Sequence, residues 1–128
     1  MGRALTLAMA ALTAALGVSG AAAAGTPRFD STVSIHYFEF SGTPTFFGKV
    51  RSERDRCERH RHVTVFRKKD GPDVEVGADR TGSRGRWKVT RRSVLPHRTY
   101  YAKVRRRTIK AGVCKRARSE DLFIPAGP

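Results

Sequence analysis

Apolar residues occupy every second position in a series of short runs along most of the chain. These runs lie at residues 33–38, 47–51, 63–65, 74–78, 87–89, 100–105 and 122–124. Successive side chains of a strand point to opposite faces of a sheet, so this period predicts strands with one buried face. Gly, Pro, Asp and Ser separate the runs, and no helical period appears after residue 24. The pattern predicts an all-β domain, an antiparallel Greek-key sandwich of about seven strands with its core within residues 31–124.

A different pattern occupies residues 1–24. Arg3 is followed by an apolar run to about residue 18, and small residues then lead to Ala24. This order is typical of a secretory signal peptide, so we expect cleavage after Ala24 and export of a single domain, residues 25–128. The run is short for a helix that crosses a bilayer core of about 30 Å, and no transmembrane segment is expected.

Charge narrows the class of partner. The chain has 26 Lys and Arg against 11 Asp and Glu, and loss of Arg3 with the signal peptide leaves a net charge of +14. Such a charge favours polyanions: nucleic acid, anionic head groups, or acidic wall and matrix polymers. The alternative is a solvated surface that only keeps the protein soluble.

Cys57 and Cys114 are the two cysteines, and both lie in the exported part. In a small secreted domain they predict one structural disulfide. Cys57 falls between the second and third predicted strands and Cys114 between the sixth and seventh, so we expect the bridge to join two loops at one end of the sandwich. It would then bypass the core, leaving Trp87 as a core residue without a sulfur partner.

Basic residues alternate with the apolar residues of two predicted strands. Lys103, Arg105 and Arg107 would project from one face, and Arg86 and Lys88 flank Trp87 in the same way. If these strands lie in one sheet, the five side chains form a broad positive face. Arginine, whose planar fork binds phosphate and carboxylate in a bidentate manner, outnumbers lysine in this chain.

Two segments resemble a known class of domain. VGADRTGSRGRWKV at residues 76–89 and LPHRTYYAKV at residues 95–104 resemble secreted transthyretin-like and carboxypeptidase-regulatory-like β-sandwich domains, and Gly48 to Ser52 looks like their opening strand. The resemblance spans residues 47–124, and it looks closer still to small basic exported bacterial proteins. One departure is His97-Arg98, which stands where a glycine is usual. The resemblance implies an immunoglobulin-like or transthyretin-like accessory module without catalytic activity.

Other chemistry has weaker support in the sequence. His60 and His62 form an H-x-H pair, but Arg59 and Arg61 flank it and repel a cation, so no metal site and no cofactor are expected. A small secreted ribonuclease using a pair such as Glu39 and His97 is a lesser alternative. No recognition helix or aromatic RNA-binding signature predicts sequence-specific reading of nucleic acid.

The sequence therefore predicts a secreted, non-catalytic protein that binds anionic polymers nonspecifically at or near the bacterial cell surface. A purely structural module without a specific ligand is the first alternative.

Overall fold

The computed structural model describes residues 25–126. The predicted signal peptide lies outside the described residues and stays a prediction. The described chain forms short strands and one 3-10 helix, Asp55–Cys57. The strands are β1 (Arg28–Phe29), β2 (Ser31–Val33), β3 (His36–Phe40), β4 (Thr43–Ser52), β5 (His62–Arg67), β6 (Val74–Arg80), β7 (Arg86–Thr90), β8 (Arg98–Val104), β9 (Arg107–Ile109), β10 (Gly112–Cys114), β11 (Ala117–Arg118) and β12 (Leu122–Ile124).

The strands form three sheets. In the first sheet β4 is central, with β2 and β3 along one side and β7 along the other. The second sheet runs β11-β8-β5-β6, and β12 pairs with the opposite end of β8. Every pairing in these two sheets is antiparallel. The third sheet is small, in the order β1-β10-β9, and its β1–β10 pair is parallel.

One hydrophobic core takes side chains from both large sheets. Phe46 of β4 is fully buried, and the centre of its ring lies 4.9 Å from that of Tyr100 on β8. Trp87, Val63 and Val65 are buried in the same cluster. The all-β prediction and the predicted core positions Val63, Val65, Trp87 and Tyr100 are confirmed, whereas Phe46 was not predicted and the type of sandwich stays a prediction.

The first predicted strand is interrupted at Ser34. Its backbone N–H and its hydroxyl both donate to the Lys49 carbonyl, and its hydroxyl accepts the Lys49 N–H at 2.9 Å. This close approach requires a glycine opposite, because a Cβ on Gly48 would lie 1.9 Å from the Ser34 carbonyl oxygen. The run therefore divides into β2 and β3, which occupy successive parts of the same edge of β4.

The break predicted at Gly42 and Pro44 is only partly correct. Ser41 (φ 50°) and Gly42 (φ 78°) form the two-residue turn between β3 and β4, as positive φ at both positions of a tight hairpin requires. Pro44 lies inside β4, where its carbonyl accepts the Arg91 N–H. The second predicted strand consequently begins at Thr43, four residues earlier than expected.

The alternation of β6 also differs from the prediction. A bulge at Val76 of β6, opposite Val65 and Phe66 of β5, changes the register, and Gly77 pairs with Val65. Gly77 faces the core, since a Cβ there would lie 2.6 Å from a methyl group of Val89. Ala78, predicted to be buried, is exposed.

The third sheet was not predicted. Its strands have two or three residues each, too few to show a period of two. Cys114, expected in a loop, ends β10, and Cys57 ends the 3-10 helix in the charged segment before β5. At the other end of the fold, His97 takes φ 54°, the left-handed region that favours the glycine it replaces in the resemblance.

Candidate functional site

The five basic residues predicted to share one face lie in two separate regions. Arg86 and Lys88 are on β7 of the first sheet. Lys103 is on β8 of the second sheet, Arg105 follows it, and Arg107 begins β9 of the third. The single-face prediction depended on these strands sharing a sheet, and this condition is not met. The structure brings Lys103, Arg105 and Arg107 to the end of the molecule that carries the disulfide.

The disulfide between Cys57 and Cys114 is confirmed, with the two Cα atoms 5.4 Å apart. Both cysteines are fully buried in a small cluster with Phe29 and Ile109, apart from the main core. The bridge thus fixes the 3-10 helix to β10 without passing through the core, as the sequence predicted.

Arg61 lies at the centre of this end and is fully buried. Its Nη1 donates to the Cys57 carbonyl at 2.6 Å and to the Ser31 hydroxyl at 2.8 Å. Its Nη2 donates to the carbonyls of Arg105 at 2.7 Å and Lys115 at 2.8 Å, and Nε also reaches the Arg105 carbonyl. One guanidinium therefore joins the nearby Cys57 carbonyl to three partners that are 30, 44 and 54 residues away in the chain.

None of the hydrogen-bond partners of Arg61 is a carboxylate; carbonyl and hydroxyl dipoles take the place of a counterion. Burial, and secondarily the charge of Arg107, lower the pKa of Arg61 to about 10. The group stays charged at neutral pH and uses its donors internally. Because its side chain is not free to contact a ligand, Arg61 is a structural residue that positions the surrounding basic residues.

Sequence reasoning treated Arg61 only as a neighbour of the histidines. The signal that would have identified it is parity: Arg61 precedes Val63 and Val65 at the same spacing of two and so shares their inward face. Thr81, also buried, fixes its backbone by accepting the Arg61 N–H at 2.8 Å.

Arg61 and its hydrogen-bond partners form a hydrogen-bonded hub. The surface next to it holds an open depression of about 400 Å³, which we call the basic depression. Its charged lining consists of Arg56, Arg59, Arg107 and Lys110, with His60 beside them. The described residues that line it include no carboxylate. Arg107 Nη1 donates to the Arg59 carbonyl, which ties β9 to the segment after the 3-10 helix.

A second basic surface adjoins the loop that Arg61 holds. Lys103, Arg105, Arg106, Arg116 and Arg118 line an open depression of about 640 Å³ between the end of β8 and β11. Arg118 also pairs with Asp121, so this surface is less purely positive than the basic depression. We call the two depressions together the basic end.

Few of the positive charges are neutralised within the fold. Of the 26 Lys and Arg, Arg3 alone lies outside the described residues, and three others pair with carboxylates: Lys68 and Arg118 with Asp121, and Lys115 with Asp30. Basic residues near Cys57 and Cys114, such as Arg56 and Lys110, were not among the predicted site residues. Their proximity to a bridge that joins two segments is the signal that could have grouped them.

The outer face of the second sheet is stabilised by cation–π contacts. The guanidinium of Arg118 lies 3.8 Å from the ring centre of Tyr101, and the ammonium of Lys103 lies 5.4 Å from that of Phe66. Tyr101 is buried on this outer face, where it stacks on Phe66 and its hydroxyl donates to Asp73. That hydrogen bond is the main cause that lowers the pKa of Asp73.

The histidines do not converge. His60 has φ 52° and lies outside β5, whereas His62 begins that strand, so the pair does not share a strand face as an H-x-H metal pair would. Within residues 25–126 there is no group of three or more His, Cys, Asp or Glu side chains placed to hold a metal ion. The two residues of the candidate ribonuclease pair have different partners. Glu39 accepts a hydrogen bond from the Tyr37 hydroxyl, and the centre of the His97 ring lies 6.4 Å from that of Phe123.

No protein-family model, curated protein or solved structure matches this chain. The resemblance to transthyretin-like domains therefore stays a prediction. Among the described residues, no helix has the length and apolar character needed to cross a membrane.

Proposed function

We propose that this protein is an exported, non-catalytic β-sandwich that binds anionic polymers at or near a bacterial cell surface. The observation that carries the proposal is the basic depression, where Arg56, Arg59, Arg107 and Lys110 surround about 400 Å³ without a carboxylate in the lining. Four like charges brought together in this way repel one another, and a polyanion relieves that repulsion when it binds.

The rigidity of the basic end supports the proposal. The disulfide and the Arg61 hydrogen bonds fix the backbone of the segments that carry Arg56, Arg59 and Arg107. A pre-ordered site loses less conformational entropy on binding than a flexible one, so more of the electrostatic attraction appears as affinity. Arginine also favours phosphate, sulfate and carboxylate groups, because its fork donates two parallel hydrogen bonds.

The proposal is tested with two variants of equal charge. One carries Arg56→Ser, Arg59→Ser and Lys110→Ser, whose side chains make none of the hydrogen bonds that hold this end together. The control carries Arg67→Ser, Lys69→Ser and Arg98→Ser, which lie at or beyond the ends of β5 and β8 away from the disulfide and line neither basic depression. Retention of the oxidised proteins on isolated cell wall, heparin and RNA is measured against rising salt, with the integrity of the RNA followed in parallel.

We expect the basic-end variant to elute at clearly lower salt than the control, with a shallower dependence of affinity on salt, because fewer counterions are released per binding event. The polymer retained near physiological salt identifies the ligand class, since exposed charges are largely screened beyond about 8 Å there. Equal losses in the two variants would contradict the proposal and favour the purely structural alternative.

A further inference from the structure

The outer face of the first sheet combines exposed aromatic rings with positive charges. The register places Phe40 beside Thr43, Phe38 beside Thr45, and His36 beside Phe47. Across the other side of β4, Phe47 pairs with Lys88 and Lys49 with Arg86. We call this surface, formed by the outward side chains of β3, β4 and β7, the hairpin face.

The aromatic rings of the hairpin face are unusually exposed. Phe38 and Phe40 have 53% and 59% of their surface in contact with solvent, and Phe47 has 37%. Phe38 and Phe40 pack edge to face with ring centres 4.6 Å apart, and Thr45 is buried next to them. Beside them an open depression of about 690 Å³ extends between Phe40, Phe47 and Lys88, and its lining includes Asp79, whose carboxylate accepts the Lys88 N–H at 2.9 Å. Contiguous apolar surface of this kind on a small protein is typical of an interaction site.

Apolar and charged residues are separated along the strand direction. Side chains two positions apart on one strand face are about 7 Å apart. Starting from the turn at Ser41 and Gly42, the hairpin face is therefore aromatic over its first rows, mixed at Phe47 and Lys88, and cationic at Lys49 and Arg86. The separation holds within β3, β4 and β7; Arg91 and Arg92 follow β7 and are exposed near the turn, where their long side chains extend to head-group height while the aromatic rings insert.

This layering matches the surface of an anionic bilayer. Peripheral apolar groups insert about 5–10 Å into the boundary between head groups and acyl chains, and basic residues just above them interact with lipid phosphates. Insertion of Phe38 and Phe40 would place Lys88 about 7 Å above Phe38 and Arg86 about 14 Å above it, at head-group height.

Other occupants fit the hairpin face less well. A single-stranded nucleic acid stacks successive bases on separate rings beside alternating phosphates, but Phe38 and Phe40 contact each other and lie away from Lys49 and Arg86. A second copy of the chain would bring the same strong positive charge to the interface.

We propose that the hairpin face docks this protein on anionic lipid bilayers, with Phe38 and Phe40 inserted at the acyl boundary and Lys88, Arg86 and Lys49 on the lipid phosphates. This site is distinct from the basic end and does not depend on the function proposed for it.

The test is cosedimentation of the full oxidised protein with vesicles of phosphatidylcholine alone and of phosphatidylcholine mixed with phosphatidylglycerol. The double variant Phe38→Ser, Phe40→Ser leaves net charge unchanged. We expect it to bind the mixed vesicles about tenfold more weakly than the parent protein at physiological salt, because two apolar groups no longer leave water. The matched control is Phe123→Ser, since Phe123 is 57% exposed on β12 of the second sheet and should leave vesicle binding unchanged.

A second variant, Phe40→Trp, reports insertion directly. We expect its tryptophan fluorescence to be quenched by lipids that carry a quencher just below the head groups, while the emission of the buried Trp87 in the parent protein is unaffected. Equal vesicle binding by the parent and the Phe38, Phe40 double variant would overturn the proposal, because charge alone would then explain attachment. Loss of RNA retention without loss of vesicle binding in that variant would also overturn it, in favour of base stacking.

Discussion

The disulfide end and the hairpin end of this molecule are stabilised by different interactions. At the disulfide end, a covalent bridge and the buried Arg61 join short strands that bury few apolar side chains. At the hairpin end, Phe46 packs between Tyr37 and Tyr100, with ring centres 5.3 Å and 4.9 Å away. One end depends on cross-links and hydrogen bonds, and the other on aromatic packing.

The surfaces of the two ends also differ, in which type of side chain they expose to solvent. The large hydrophobic side chains that are exposed in the described part of the chain are Phe38, Phe40, Phe47, Leu95 and Phe123. Phe38, Phe40 and Phe47 lie on the hairpin face, whereas Leu95 and Phe123 lie outside it, next to β8 of the second sheet. The disulfide end instead presents arginine. Internal cross-links therefore allow the disulfide end to carry positive charges that repel one another, while the hairpin end exposes apolar side chains.

The largest expected effect comes from removing the disulfide. With Cys57→Ala and Cys114→Ala, we expect the free energy of unfolding to fall by about 4 kcal/mol, because a loop with a sequence separation of 57 is no longer closed in the unfolded chain. Urea denaturation measures the change. Amide hydrogen exchange should accelerate in β9 and β10 more than in the β3–β4 hairpin. Equal acceleration at both ends would show that they do not differ in how they are stabilised.

Arg61→Met should lower the free energy of unfolding by about 3 kcal/mol, because it leaves the buried carbonyl of Cys57 and the part-buried carbonyls of Arg105 and Lys115 without their donor. Arg61→Lys should also be destabilising, since one ammonium cannot reach all of these oxygens in the geometry of the fork. The same urea experiment measures both variants.

The matched control for Arg61 is Arg56→Met, an exposed arginine of the same end, for which we expect a change within about 0.5 kcal/mol. If Arg61→Met were no more destabilising than Arg56→Met, the hydrogen-bonded hub would not stabilise the disulfide end.

The smallest effect concerns the part-buried hydrogen bond between Tyr101 and the exposed Asp73 on the second sheet. The Tyr101 hydroxyl lowers the pKa of Asp73, so the ionised Asp73 stabilises the fold above its unfolded pKa of about 3.9, and this contribution is lost as pH falls through the lower folded value. Tyr101→Phe should raise the pKa of Asp73 towards its ordinary value, as followed by NMR titration of the carboxyl group. Asp121, whose pKa Lys68 lowers, is the internal control and should not change. An unaltered pKa of Asp73 would rule out this role of Tyr101.

Much of the fold follows from the chain's local pattern. The period of two identified the inward faces of β5, β7 and β8, as the burial of Val63, Trp87 and Ala102 confirms. It was wrong where the backbone departs from regular pleating: at Ser34, where a side chain replaces ladder hydrogen bonds, and at Gly77, where a bulge changes the register. A bulge adds one residue to a strand, so the apparent parity of the residues after it no longer identifies the buried face.

The candidate site was much less predictable. Lys103 and Arg105 line one depression of the basic end, whereas Arg107 lines the other with Arg56, Arg59 and Lys110. Lys110 is a near neighbour of Arg107 in the chain, but Arg59 is 48 residues away, and the disulfide and Arg61 bring its segment close. Arg86 and Lys88 were grouped with the wrong residues, because β7 joins β4 rather than β8.

By itself the sequence determined the all-β class, the pairing of its two cysteines and its large positive charge, because alternation is local, two cysteines allow one bridge, and charge is a sum over residues. The tertiary structure decided which strands share a sheet, which arginine is buried and which ends of the molecule the charges and aromatic rings occupy. These depend on contacts between residues far apart in the chain, and the free energy of such contacts belongs to the packed arrangement rather than to any one segment.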